Sequence, residues 1–508
     1  MRGRGTDRSL RRETIREGAH GGNRLFPREA TRIREHPFCG VVAIAALVAV
    51  PAASAANDVR SAKFAFTATN LLPPIGGFGE PSIALSSKDH VFFCGPEGLF
   101  AGNAFVRTAD WTTFERFNIV DTPVSGEDCD VKVGPDDAVY EADLQIAGGA
   151  VRKSVLDGQG PPAPPNTMGN GSFDYQVYED TVEQDRQWLG PDPTDGSIVY
   201  YGYHDLTAEA EVVAKSLDGG KTFPLHMVTS TDPALAPDTY PNTFSGPVRV
   251  DPVDHNTVVQ VYGISSIGEN VDSCDPDQLC FGFPKTVVAA VSKDGGLTWT
   301  DHVTMDVSGL GGDQILGNLF PWVTFDQAGN VYVMAGLGGT DAAGNPNNGM
   351  YYSVSTDKGQ TWSAMTKINA GAGAVVFPTM VGGKAGVVDF AWLESTATDQ
   401  ADETGTWTVH FAQTRNATAS KPTFTEVKGP AVRTGAVCTL GILCDGNREL
   451  ADFMEIDIDS FGYAHVAAPA TDAFDQVYDV YWRQDAGPSA TSDPCKPTCV
   501  KKRPGPQP

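Results

Sequence analysis

Three short segments constrain this chain more than any other feature: "SLDGGKTF" at 216–223, "SKDGGLTW" at 292–299 and "STDKGQTW" at 355–362. All fit Ser-x-Asp-x-Gly-x-Thr-aromatic, and each follows a short apolar run, "EVVAK", "TVVAAV" or "MYYSV". Recurrence at a spacing of ~60–80 residues is the mark of a repeat architecture. A catalytic constellation is built once, so a motif present three times is structural. Asp and Ser side chains bind turn amides, and Gly tolerates positive φ. The motif therefore predicts a tight turn whose Thr opens the next strand and whose aromatic ring packs on the sheet.

Parsing backwards from the turn gives a unit of four strands. "GPVRVDP", "TVVQVYGIS" and "KTVVAAVSKD" lead into the 292–299 motif, and "WTDHVTM" follows it. "LFPWVTFD", "VYVMAGL", "GMYYSVSTD" and "WSAMTKIN" repeat the order, as do "RQWLGPDP", "IVYYGYHD", "EVVAKSLD" and "FPLHMVTS". Degenerate copies open at "EPSIALS", "DCDVKVGP", "VVFPTMVGG" and "DFMEIDID". The last copy stops one strand short, and "KFAFTATN" near the start is unclaimed. If that segment supplies the missing strand, the ring closes and protects its sheet edges. The expected fold is all-β: a β-propeller of four-stranded blades over residues 57–486, with seven blades and closure by the N-terminal strand. Six blades is the alternative, because the second unit has no clear fourth strand.

The repeated motif, Ser216/Asp218/Gly220/Thr222/Phe223, Ser292/Asp294/Gly296/Thr298/Trp299 and Ser355/Asp357/Gly359/Thr361/Trp362, resembles the Asp-box, or BNR repeat, of the sialidase superfamily. The resemblance covers about residues 60–485. It implies Asp-boxes at the periphery, away from substrate. It also implies a glycoside hydrolase of exo-alpha-sialidase type, with an arginine triad, a Tyr nucleophile paired with Glu, and an Asp acid/base. The family's first arginine normally lies in a Phe/Tyr-Arg-Ile-Pro motif, which is missing after residue 55; "GEPSIAL" occupies a comparable strand and offers Glu80. Arg186 and Arg448 are two arginine candidates, and no third is evident. The expected function is therefore a sialidase-like propeller that binds glycans, with glycoside hydrolysis as its enzymatic form. A non-catalytic protein-interaction or structural propeller is the alternative.

The N-terminus has the pattern of a secretory signal: "CGVVAIAALVAV" behind Arg32 and Arg34, then "PAASA". The basic stretch before it is long for a signal, which places the expected start near Leu25. Removing residues 1–55 takes away ten Arg and five acidic residues, leaving 27 basic and 58 acidic side chains and a net charge of −31. Such a field repels nucleic acid and anionic lipid. No apolar run of ~20 residues follows, so no membrane span is expected in the mature chain. Cys39 lies in the signal, and the remaining cysteines are even in number, which suits disulfides in a secreted protein. Proximity suggests Cys274–Cys280, Cys438–Cys444 and Cys495–Cys499, leaving Cys94 with Cys129. Residues 487–508 form a Pro-rich tail.

Strand connectivity divides the loops between two faces. Turns joining strands 1–2 and 3–4 are short and share one face. The longer segments, among them "MGNGSFDYQVYEDTVEQD", "STDPALAPDTYPNTFSG" and "SSIGENVDSCDPDQLCFGFP", are expected on the other. Long loops on a rigid scaffold carry function. Polar residues at that end of the inner strands would ring a central pocket. Asp128, Asp130, Asp185 and Glu394 are the candidate catalytic carboxylates, because glycoside cleavage needs an acid and a second carboxylate. Glu80, Arg186, Trp188, His204, Asp205, Tyr240, Asn242, Trp322, Arg448 and Asp452 are the candidate ligand contacts. Calcium is the cofactor the loop "DSCDPDQLC" could hold, through Asp272, Asp275 and Asp277, although the spacing is not that of an EF-hand.

Overall fold

The computed structural model describes residues 63–97, 102–119, 125–145, 148–154, 175–180, 184–208, 210–235, 244–264, 284–439, 441 and 444–492. They form seven four-stranded antiparallel sheets, each with its strands in radial order. The inner strands are Ser82–Leu85, Ser125–Val133, Gln184–Pro191, Phe244–Val250, Ile315–Phe325, Val375–Gly382 and Glu455–Ile458, defining blades 1 to 7. Each inner strand packs against those of the two neighbouring blades, so the seven close a ring. The protein is a seven-bladed β-propeller.

Burial follows position in the blade. Middle strands such as Val258–Ile264 and Thr286–Ser292 are buried along their whole length. They are covered on both faces by adjacent blades, which is why they read as continuous apolar runs rather than alternating ones. The outer strand Leu225–Val228 alternates between half-buried and exposed. The N-terminal strand Ala65–Leu71 pairs with Val477–Ala486 and supplies the outer strand of blade 7. Phe66 stacks on Trp482 at 4.3 Å and meets Phe411 at 5.0 Å, fixing this closure against blade 6.

The Ser-x-Asp-x-Gly-x-Thr turns join third to fourth strands. In the turn after Thr286–Ser292, Ser292 Oγ accepts the Gly296 amide at 2.8 Å. Asp294 Oδ1 accepts the Leu297 and Thr298 amides at 3.0 and 2.9 Å, and Thr298 Oγ1 donates to Oδ2 at 2.6 Å. Gly296 has φ +85°, which favours glycine. The turns at 216–223 and 355–362 repeat this hydrogen-bond set. Tyr140 and Tyr200, each in the preceding blade, donate to Gly219 O and Gly295 O, so these turns also clip neighbouring blades together. Blade 1 carries a shortened copy in which Asp110 accepts the Thr112 and Thr113 amides.

One expected loop is placed differently. Tyr175–Asp180, within "MGNGSFDYQVYEDTVEQD", is the fourth strand of blade 2 and pairs with Gly148–Ser154. These two strands are therefore the third and fourth of the blade, so the segment between them is a 3–4 connection rather than a 4–1 loop. The strand was missed because no Ser-x-Asp-x-Gly-x-Thr turn announces it. Disulfides Cys94–Cys129 and Cys438–Cys444 are present, with Cα separations of 6.0 and 5.9 Å. Cys274, Cys280, Cys495 and Cys499 lie outside the described residues, as do residues 1–55 and the tail from 493.

Candidate functional site

The inner strands carry a shared irregularity that shapes the centre. Register shifts interrupt pairing between Ser125 and Cys129, Asp185 and Trp188, Ser245 and Val248, Gly317 and Trp322, and Val376 and Thr379. Arg186, Leu319 and Phe377 within these bulges have φ of +48°, +83° and +60°. Glu80 and Ala451, just before the inner strands of blades 1 and 7, have φ of +42° and +54°. Bulges re-aim side chains, and left-handed non-glycine residues are retained where their surroundings hold them. Here they bring Glu80, Asp128, Asp185, Arg186, Arg448 and Asp452 into one electrostatic cluster.

Arg186 is the centre of that cluster. It is 2 % exposed, and its guanidinium carbon lies 4.1 Å from the Trp188 ring centroid and 4.2 Å from that of Phe453. Nη2 donates to Cys129 O at 3.2 Å. Nη1 lies 3.9 Å from Asp128 Oδ1, an ion pair without a hydrogen bond. Nε and Nη1 have no hydrogen-bond partner among the described residues, and neither do Glu80 Oε2, Asp452 Oδ1 or Arg448 Nε. Arg448 donates to Asp452 at 2.6 Å. The Glu80 amide donates to Leu450 O at 3.3 Å, tying blade 1 to the turn that carries this pair. The Cys94–Cys129 bridge fixes the strand presenting Asp128.

Burial and mutual repulsion push the carboxyls up. Glu80 lies well above the ordinary carboxylate range, because of burial first and then the charges of Asp128 and Asp452; Arg186 and Arg448 offset this in part. Asp128 is raised by burial and by Asp452, against the two arginines. Asp185 retains accessible surface, yet loss of surrounding water, then Asp128 and Asp452, push it up to about 7. His204, opposite Asp185 in the sheet, is pushed down to about 4 by burial and is neutral at pH 7.

Other expected site residues have different places. Asp130 is fully buried and structural: it accepts from Ser82 Oγ at 2.9 Å, Lys132 Nζ at 2.6 Å and the Leu189 amide at 2.7 Å, stapling blades 1, 2 and 3. Trp188 and Trp322 are not open sugar platforms. Both are buried, their rings cross at 5.3 Å, and Trp188 Nε1 donates to Ser245 O. Asp205 caps a turn through the Thr207 and Ala208 amides. Glu394 lies on the second strand of blade 6, held by Asn369 and Trp392 rather than by the central cluster. Tyr240, Asn242, Asp272, Asp275 and Asp277 lie outside the described residues. Phe453 and Phe320, which flank Arg186, were not anticipated; their adjacency to Asp452 and their place two residues before Trp322 were the available signals.

No protein-family model matches the chain, and no curated protein matches it. Solved structures similar to it include a protein of unknown function from Dyadobacter fermentans, with 14% identity over 84% of this chain and 99% of that one, at a TM-score of 0.45. An ulvan lyase has 9% identity over 84% and 96%, at 0.47. A Trypanosoma rangeli sialidase variant has 12% identity over 80% and 54%, at 0.36. Likenesses this distant leave the activity to be read from the site itself.

Proposed function

We propose that the protein is a secreted, glycan-acting propeller of the sialidase-superfamily kind. In this proposal the central cluster binds an anionic or polyhydroxylated sugar and cleaves it by acid/base chemistry. The observation that carries this is Arg186: a buried guanidinium with two unused donors, set among carboxyls that hold their protons unusually well. Unpaired buried donors are costly, and a ligand carboxylate or hydroxyl would satisfy them. A carboxyl near pH 7, such as Asp185, is suited to donate a proton to a leaving oxygen, while a second carboxylate assists. Arg186 and Arg448 are the arginines acting on Glu80 and Asp128. Two arginines fit a uronate or a neutral sugar better than the three-arginine clamp of a sialidase. The disulfides fit a secreted protein, and no helix among the described residues is long and apolar enough to cross a membrane.

A second reading, a non-catalytic recognition propeller, is favoured by Phe474. This ring is 84 % exposed on the loop between the second and third strands of blade 7, on the same face as the cluster. A glycan array rich in uronates and sialosides, paired with a reducing-sugar release assay, decides between them. Release that disappears in Asp185→Asn supports hydrolysis, whereas binding without release supports recognition. Neither binding nor release on any glycan would sink the glycan assignment.

A further inference from the structure

Blade 6 contains a second group of polar side chains, separate from the central cluster. Glu394, His410 and Glu426 lie on its second, third and fourth strands, Val388–Ser395, Thr406–Thr414 and Phe424–Thr434. One donor atom from each comes within 4.8 Å of the other two. His410 Nδ1 stands 2.8 Å from Glu426 Oε1 and 3.9 Å from Glu394 Oε2.

The ring's tautomer determines what that nitrogen presents. His410 Nε2 lies 3.2 Å from Thr408 Oγ1, and the Thr408 hydroxyl donates to the Glu394 main-chain oxygen at 3.3 Å. A hydroxyl has one proton, so while it donates there it can only accept from Nε2. In the tautomer with its hydrogen on Nε2, Nδ1 offers a lone pair; in the other, Nδ1 donates to Glu426 Oε1. In the first tautomer that lone pair faces two carboxylates, and the three donor atoms converge closely enough for a metal ion to bind between them.

We infer that this position is a site for one divalent transition-metal ion of the zinc class, bound by His410 Nδ1, Glu426 and Glu394. Zinc takes nitrogen and carboxylate donors at ~2.0–2.2 Å, which places tetrahedral donors about 3.4 Å apart. The two separations at Nδ1 straddle that value. Both carboxylates are already oriented, as ligands usually are. Glu394 accepts from Asn369 Nδ2 at 2.9 Å and Trp392 Nε1 at 3.1 Å, and Glu426 Oε2 accepts the Ala370 amide at 3.1 Å. A Cβ on Gly371 would clash with Glu394 Oε1, so the crossover from blade 5 closes directly over this carboxylate. The nearby Lys367 ammonium is committed to Asn348 O and Gly371 O, at 2.9 Å each. One imidazole and two carboxylates supply too few oxygens for calcium, which takes six to eight. The ion would bolt the outer strand of blade 6 to its second strand.

The test uses the full mature chain, stripped with chelator and dialysed. Zinc is then added, with calcium as comparison, while bound metal is counted by elemental analysis and the thermal melt is followed. The expected result is one equivalent of retained zinc and a melting temperature that rises until that equivalent is reached, with no response to calcium. His410→Gln and Glu426→Gln should each weaken zinc binding about tenfold or more. Glu426 is the most exposed of the three, so its variant keeps the test open if His410→Gln folds poorly. No retained zinc and an unchanged melt would overturn the site and leave the contact as a hydrogen bond from His410 Nδ1 to Glu426. Unchanged zinc binding by folded Glu426→Gln would place the metal elsewhere and overturn the site.

Discussion

At the outer turns, burial raises Asp294 more than any single bond lowers it, but bonds from two amides and two hydroxyls together hold it down to about 2. In the centre, Glu80 keeps one oxygen without any hydrogen bond among the described residues and stands well above its ordinary range. The same functional group thus does opposite work in two regions of one repeat. The turn saturates its carboxylate and gains a fixed strand connection. The centre leaves carboxyls and Arg186 donors unsatisfied and held by bulged, left-handed backbone. Unsatisfied buried polar groups are rare in folded proteins, and several of those among the described residues meet at this end of the inner strands.

The sharpest way to break this contrast is Arg186→Met, which keeps the apolar stem over Trp188 and Phe453 and removes the charge. Two charge-assisted hydrogen bonds to a ligand are worth about 1.5–3 kcal/mol each. Affinity for the glycan found on the array should fall about a hundredfold or more, while the melt shifts little. A binding isotherm and a thermal melt on the same preparation check this. A collapsed melt would instead make Arg186 a structural ion pair whose loss strands Asp128.

The two regions also predict opposite pH limbs. Where a folded carboxyl is raised, its stabilisation is complete below the unfolded value of ~4 and is lost as pH rises through the folded one. That describes Asp389 and Asp457 at about 7 and Glu211 and Asp479 at about 8, all raised chiefly by burial. Where it is depressed, as at Asp294, stabilisation is complete above ~4 and is lost as pH falls toward 2. The melting temperature should therefore peak near pH 4–5 and fall toward pH 8, by roughly 1 °C per kcal/mol lost in a domain of this size. Calorimetry at pH 3, 5 and 8 measures both limbs, and a melt at pH 8 equal to that at pH 5 would contradict the raised carboxyls.

What was legible in the sequence followed from chemistry that repeats. Turn residues at fixed offsets and apolar runs between them announced the blades, and an unclaimed strand near residue 65 announced the closure. Glu80, Asp128, Asp185, Arg186, Arg448 and Asp452 could be collected because they sit at equivalent strand ends. Asp130 lies apart from the cluster because a two-residue step along a strand keeps the same side while moving down it, into the layer of Lys132 and Glu455. Trp188 and Trp322 are buried against each other rather than open because a bulge shifts the side chains that follow it, and bulges leave no compositional trace. The blade 6 triad was invisible for another reason. Glu394, His410 and Glu426 meet only through pairing register, Trp392 with His410 and Ala412 with Glu426, and register is settled by the folded sheet.

The smallest effect belongs to the outer turns. Asp294→Ala leaves the Leu297 and Thr298 amides without their acceptor, a loss comparable to removing a helix cap, about 0.5–2 kcal/mol. Those amides are exposed, so water replaces part of what is lost and the lower half of that range is expected. The residue lies at a third-to-fourth strand turn, on the face opposite the crossovers, so glycan binding should be unchanged within error. The acid limb of the melt should also flatten slightly, since one carboxylate that must be protonated on the way to pH 2 is gone. A thermal melt at pH 7 and at pH 3, beside a binding isotherm, covers all three expectations. Lost binding with an unchanged melt would place Asp294 in the site and erase the distinction between rim and centre. A melt that falls by several kcal/mol would mean that this turn clips blades 3 and 4 together through Tyr200 and Gly295 more strongly than its own hydrogen bonds suggest.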